Sequence, residues 1–267
     1  MALLPPTATP AFYTRRIPQP APILAYLLST LTAAVVGGAA LAMAFPAEVA
    51  AVWPLCLAFY AILSTFVASG LASHYPHASL GWCNILTQGR LAIVVVLAAP
   101  LVAALSHWFG GASGGGVAAG GWMVAGLALG ALALDGVDGW FARRQRLSSQ
   151  FGARFDMEVD SLLALTLALH AWASGAVGPA VLVLGSARYV FAAAAWALPW
   201  LGRPLPDRLS RKAVCVVQVS VLIAVQTPLL PMTLAEALAV GAVVAVLWSF
   251  GRDIRWLYLR RREHRPG

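Results

Sequence analysis

The stretch LDGVDGWFARRQRLSSQFGARFDMEVDSLL, residues 134–163, holds Asp135, Asp138, Asp156, Glu158 and Asp160, half of the ten acidic residues in the chain. Asp135 and Asp138 are three residues apart, and Asp156 and Asp160 four. At about 100° per residue, each pair falls on one face of a helix, within roughly 60° and 40° respectively. Glu158 lies about 200° round from Asp156 and points elsewhere, with Arg154, four residues earlier, as its expected partner. Two such helices joined by a short basic loop bring the pairs face to face. Four converging carboxylates repel one another, and burying them unpaired is expensive. Hard divalent cations answer that repulsion, because Mg²⁺ and Mn²⁺ prefer carboxylate oxygens to sulfur or imidazole. Asp135, Asp138, Asp156 and Asp160 are enough ligands for two ions, and a two-metal site suits displacement at phosphorus.

Small residues flank these carboxylates. Gly139, Ala142 and Gly152 leave space for a ligand to approach the backbone closely. Arg143, one turn beyond Gly139, carries a forked donor that matches a phosphate oxygen pair. Metals, a cationic clamp and open space are the parts of a diphosphate site.

The elements that must position these groups are apolar helices. Hydrophobic residues make up 60% of the 267-residue chain and charged residues 10%, and the mean hydropathy is +0.79. That composition excludes a soluble domain and a nucleic-acid binder, and indicates an all-α polytopic membrane protein. The apolar runs are continuous rather than alternating, which excludes a barrel. Eight transmembrane helices are expected at roughly 23–45, 50–72, 86–106, 119–142, 155–174, 178–200, 212–231 and 234–256. The first reads as a retained anchor, too long for a cleaved leader.

Of the 18 Lys and Arg residues, all but Arg90 and Arg188, which fall inside spans, cluster before the first span, around the aspartate hairpin, between the sixth and seventh spans, and in the tail. The intervening turns FPAEVA, HWFGGASGGG, ASGAVG and LLPMTLAEA hold none. By the positive-inside rule, both termini and the hairpin face the cytoplasm, in an inner (cytoplasmic) membrane. The net charge of +8 is thus a topology signal directed at anionic lipid. Cys56, Cys83 and Cys215 show no ligand spacing and imply packing, not a disulfide. The five histidines are equally scattered, and GGASGGGVAAGG reads as a flexible turn.

The run Asp135-Gly136-x-Asp138-Gly139-x-x-Ala142-Arg143, eight residues, Gly152, three, Asp156, three, Asp160 resembles, position for position, the signature of the CDP-alcohol phosphatidyltransferase family (class I). Asn84-x-x-Thr87-x-x-Arg90 also resembles the opening of that family's first core helix. On this resemblance, residues 84–256 form a six-helix catalytic domain, and 23–83 are two additional N-terminal helices. Residues 1–22 are a cytoplasmic lead and 257–267 a basic cytoplasmic tail. The resemblance implies transfer of a phosphatidyl group from CDP-diacylglycerol to a small alcohol acceptor, releasing CMP, in a homodimer among membrane lipids. It implies that Asp135, Asp138 and Asp156 hold two Mg²⁺ or Mn²⁺ ions, that Asp160 completes the cluster, and that Asp160 is the general base. Gly139, Ala142, Arg143 and Gly152, with Asn84 and Thr87, would receive the CDP portion.

The acceptor is less constrained. Arg188, in LVLGSARYVFAAA, sits roughly 15–18 Å inside the sixth span at about 1.5 Å per residue, a depth that suggests a polar cavity or a functional partner. It could bind an acceptor phosphate or pair with an aspartate of the cluster. Arg211 and Lys212 open the seventh span and could complete the pocket, while Gln218 is suited to bridging helices. These cations favour a phosphorylated acceptor such as glycerol 3-phosphate or inositol phosphate over serine or choline. An ion-coupled transporter is the rival class, since intramembrane Asp and Arg also mark ion paths. The chain lacks the internal repeats expected of one.

Overall fold

The computed structural model describes residues 20–45, 47–109, 121–145, 147, 149–203, 205–206 and 208–263. Eight long helices make up the described fold: α1 (Pro20–Ala44), α2 (Trp53–His74), α3 (Gly81–Phe109), α4 (Gly121–Gln145), α5 (Gln150–Ala173), α6 (Leu182–Ala197), α7 (Leu209–Ala224) and α8 (Met232–Glu263). One-turn helices at Ala47–Ala50, Pro179–Val181 and Pro199–Gly202 punctuate them. The turn expected at 110–121 lies, but for Gly121, outside the described residues, as do the first 19 residues and the last four.

Six of these helices are long and apolar enough to cross a membrane. The two others are α5, whose first turns carry Arg154, Asp156, Glu158 and Asp160, and α7, which has only 16 residues and, unlike α6, no preceding turn such as Pro179–Val181 to lengthen it to 19. Charge and brevity keep these two below a purely apolar criterion, although the whole set forms one bundle. A helix of 25 residues such as α1 rises about 37 Å, more than the roughly 30 Å of hydrocarbon it must cross.

The bundle is built round α3. It packs against α1, α2, α4 and α5, and 56% of its membrane window is buried against 11% for α1 and 22% for α2. A polar knot fastens the N-terminal helices to it. Gln88, fully buried, donates from its amide to Thr30 Oγ1 of α1 at 3.0 Å and Tyr60 Oη of α2 at 2.8 Å, with Ser64 Oγ at 3.2 Å. In hydrocarbon such groups must find one another, because lipid offers no alternative partner.

Two glycines are required by position. Gly81 opens α3 at φ +75°, and a β-carbon there would stand 2.6 Å from Leu147 Cδ1, so both backbone and space demand glycine. Gly185 lets α6 lie directly on α5, since a β-carbon would come within 2.5 Å of Leu165 Cα. Gln218 on α7 donates to Leu184 O of α6 at 2.6 Å, which is the interhelical bond expected of it. His170 meets Leu97 O at 2.6 Å in the buried core, a packing role.

Candidate functional site

Ser149 starts α5 by accepting a hydrogen bond from Gly152 N at 3.0 Å, an N-cap that fixes where the helix begins. On the other side of the hairpin, Gln145 at the end of α4 accepts from Trp82 N at the start of α3, at 3.1 Å. These two anchors set the ends of α3, α4 and α5 side by side. The hairpin aspartates then project into the space between the three helices.

At the centre stands Arg90 of α3, whose side chain is 1% exposed. Its guanidinium contacts all four aspartates. Nη1 is 2.9 Å from Asp135 Oδ1 and 3.3 Å from Asp138 Oδ2, and it also pairs with Asp156, while Nη2 pairs with Asp160. Thr87, one turn earlier on α3, donates to Asp138 Oδ2 at 3.2 Å. Asp138 is thereby sealed between Thr87 and Arg90 and is buried, whereas the other three carboxylates are more than a third exposed. Sequence reasoning gave Arg90 only a place in the family motif, with no role at the aspartates. A usable signal was the charge sum: four carboxylates gathered at a membrane edge need a cation close by, and Arg90 is the arginine of α3, at helical spacing from Asn84 and Thr87.

Arg90 does not balance the cluster. Four carboxylates against one guanidinium leave three negative charges (4 − 1). A like-charge pair about 4 Å apart costs about 4 kcal/mol at an effective dielectric near 20. Carboxylate oxygens of Asp135, Asp156 and Asp160 lie within 4.8 Å of one another. Oxygens bonded at about 2.0–2.1 Å to one small cation stand up to roughly 4.2 Å apart, so modest side-chain rotation suffices for these three to share an ion. The donor set is all oxygen and the charge deficit is large. The residues fit a hard divalent metal.

Asn84, 3% exposed, donates to Leu80 O at 2.6 Å and to Tyr75 Oη at 3.1 Å. Its Oδ1 would be 3.2 Å from a β-carbon on Gly152. Space at Gly152, read from sequence as room for a ligand, is therefore taken on that side by Asn84 and by Ser149 Oγ, at the same distance. Tyr75, in the loop before α3, donates to Leu80 O at 2.7 Å, and burial pushes its hydroxyl up to about 12. Gly139 is half-buried on α4, below Asp135 and Asp138. Ala142 and Arg143 fall on the last turn of α4, with their side chains outside the described set.

A cavity of about 450 Å³ opens from the cluster between α5, α6, α7 and α8. Asp135, Asp160 and Arg90 line its inner end, and Arg188, Arg211 and Asp253 are on its other walls. Arg188 does not reach the aspartate cluster. It pairs with Glu158 and lies 2.6 Å from Met157 Sδ, which corrects the expected pairing of Glu158 with Arg154. A long side chain across the α5–α6 seam reaches Glu158 once Gly185 has brought the two helices together. Arg211 is held by Asp253 Oδ2 of α8 at 3.0 Å. Lys212 is exposed and is not among the residues lining the cavity. Adjacent helical residues point about 100° apart, so Arg211 and Lys212 cannot both face it. Asp253, which sequence reading did not single out, follows Arg252 in a basic segment and resembles a surface charge until α8 is packed.

Comparison with protein families finds that the model described as CDP-alcohol phosphatidyltransferase matches residues 80–248. No curated protein and no solved structure gives a significant match.

Proposed function

Because the chain belongs to the CDP-alcohol phosphatidyltransferase family, we propose that it moves a phosphatidyl group from CDP-diacylglycerol to a small alcohol and releases CMP. Membership makes it a membrane-embedded transferase of phospholipid synthesis, acting on a CDP-alcohol substrate and an alcohol acceptor, in a family that uses divalent metals. The finer reading rests on one observation: four aspartates from α4 and α5 converge at one end of an apolar bundle, and two of them, Asp135 and Asp160, also line a cavity large enough for a small acceptor.

In this reading Asp135, Asp138 and Asp156 hold two Mg²⁺ or Mn²⁺ ions, with Asp160 completing the set. Bound divalent ions supply charge neutralisation at the diphosphate. Asn84, Thr87, Gly139, Ala142, Arg143 and Gly152 form the side that receives the cytidine diphosphate. Asp160 faces the cavity, accepts the proton of the acceptor hydroxyl and so frees its oxygen to attack the phosphorus that bears the diacylglycerol. A new P–O bond forms to the acceptor, the bridging P–O bond of the diphosphate breaks, and CMP departs with the bridging oxygen. The apolar walls restrict water, which would otherwise compete as acceptor. Arg188 and Arg211 stand where an acceptor phosphate would lie, so a phosphorylated acceptor is favoured over serine or choline. The catalytic unit is 84–256, appended to the helices of 23–83. The termini and the site face the cytoplasm of an inner membrane, and the protein works as a homodimer.

The test is CMP release from CDP-diacylglycerol by protein purified in detergent, with Mg²⁺ or Mn²⁺ and with EDTA, across glycerol 3-phosphate, inositol phosphate, inositol, serine and choline. Metal-dependent release with one acceptor supports the reading. Release with none of them refutes it and leaves the transporter reading.

A further inference from the structure

The two N-terminal helices carry none of the site residues, yet they grip two of the helices that Arg90 joins, α3 and α5. Gln88 follows Thr87 on α3 and precedes Arg90 by two residues, so it stands about 200° round the helix from Arg90. The side of α3 turned away from Arg90 is therefore the side held by Thr30 of α1 and by Tyr60 and Ser64 of α2. A second grip falls on α5. Tyr26 of α1, fully buried, meets the ring of Phe155 edge-on with centroids 6.5 Å apart, and Phe155 immediately precedes Asp156. Gly70 of α2 admits Phe151, whose Cε2 would stand 3.0 Å from a β-carbon there, and Tyr75 packs edge-on against the same ring at 5.9 Å. Phe151 and Phe155, four residues apart, share one face of α5. Gly38 of α1 backs onto Trp53 of α2, where a β-carbon would come within 2.6 Å of Nε1, so the two helices act on α3 and α5 as a pair.

We infer that α1 and α2 are positioning elements of the catalytic site: through Gln88 and Tyr26 they fix the rotation of α3 against α5 at which Arg90 reaches Asp156 and Asp160. This role lies beyond the transferase reading and involves no contact with substrate. Anchoring alone would need no hydrogen bonds. Apolar helices in lipid hold together by packing, which fixes rotation weakly, whereas a hydrogen bond between helices has one direction. Little of α1 and α2 is buried (11% and 22% of their membrane windows), and Tyr26, Tyr60 and Ser64 are among the buried residues. The contact thus falls where it bears on α3 and α5. At a side-chain radius of about 5–6 Å, turning α3 by about 10° moves a group by about 1 Å. Arg90 holds carboxylates of two other helices at once, so such a turn releases some of them. A misplacement of about 1 Å in a catalytic arrangement costs about 100-fold in rate. Tyr26 acts through its ring, since its hydroxyl finds no hydrogen-bond partner among the described residues.

The experiment uses the full chain in detergent, with kcat taken per folded molecule from the monodisperse fraction well below Tm. Gln88→Met keeps the length and bulk of the side chain and removes its donors. With CDP-diacylglycerol, Mg²⁺ and the acceptor that the wild type turns over, its kcat is expected to fall about 10- to 100-fold. KM for both substrates should stay within about threefold of wild type, because every binding group is still present. Tyr26→Leu, which loses the ring against Phe155, should fall likewise, while Tyr26→Phe, which keeps it, should stay within about threefold of wild type. The wild-type protein gives a reading that no folding defect obscures. Coupling between two places is reciprocal, so Mn²⁺ with CDP should slow amide hydrogen exchange in α1 around Tyr26 and in α2 around Tyr60 and Ser64, helices that carry none of the site's carboxylates. Wild-type kcat in both Gln88→Met and Tyr26→Leu, a raised KM in place of a lowered kcat, or exchange in α1 and α2 unmoved by Mn²⁺ and CDP overturns the inference while leaving the transferase standing. If the wild type releases CMP with none of the acceptors, the transferase reading falls, and the exchange experiment decides the positioning role by itself.

Discussion

Replacing Arg90 with glutamine strips the guanidinium from a cluster of four carboxylates. The structure sets the size of the effect. Arg90 is 1% exposed and contacts Asp135, Asp138, Asp156 and Asp160, so the local charge goes from three negatives to four with no water available on the Arg90 side. Losing one partner of a buried ionic group costs about 3–5 kcal/mol. At about 2–4 °C per kcal/mol for a chain of this size, Tm in EDTA should fall by about 10 °C. Divalent metal should then stabilise the variant more than the wild type, because it meets a larger uncompensated charge. An ion at 100 times its Kd contributes about 2.7 kcal/mol, so Mg²⁺ should recover roughly two thirds of the loss. Thermal unfolding of wild type and Arg90→Gln in detergent, each with EDTA and with a Mg²⁺ titration, measures both quantities. Equal Tm values in EDTA, or identical Mg²⁺ shifts for the two proteins, would refute the charge-deficit argument at its base.

Other substitutions probe separate parts of the arrangement. Asp160→Asn should lower CMP release by about 10²- to 10⁴-fold, the usual share of a general base, while the protein still binds CDP-diacylglycerol; near-normal turnover would remove Asp160 as base. Gly185→Ala forces a β-carbon against Leu165 Cα at 2.5 Å and should cost about 1–3 kcal/mol by overpacking, seen as a lowered Tm, whereas an unchanged Tm would mean that α5 and α6 are less tightly apposed. Gln88→Leu removes the donors shared by Thr30 and Tyr60 and should loosen α1 and α2 by about 1 kcal/mol, measurable as faster protease cleavage between α2 and α3 in detergent.

Much of this protein is written along the chain. The long apolar runs require helices, since a membrane interior leaves backbone groups no partner but one another. The three- and four-residue spacings of Asp135, Asp138, Asp156 and Asp160 put each pair on one helix face, and those same residues carry the family signature that the match over 80–248 supports. Periodicity, however, says nothing about rotation of one helix against its neighbour, nor about which of several long side chains reaches a given carboxylate. That is why Arg90 emerges as the cation at the centre of the cluster only when α3 is packed between α4 and α5. It is also why Glu158 belongs to Arg188 and not to Arg154, and why Lys212 turns away from the cavity that Arg211 enters. Asp253 is the clearest case. In sequence it is an acid within a basic stretch; in the bundle it is a buried carboxylate with one oxygen tied to Arg211 and the other turned free. Spacing fixes direction within a helix, and only packing between helices fixes what that direction meets.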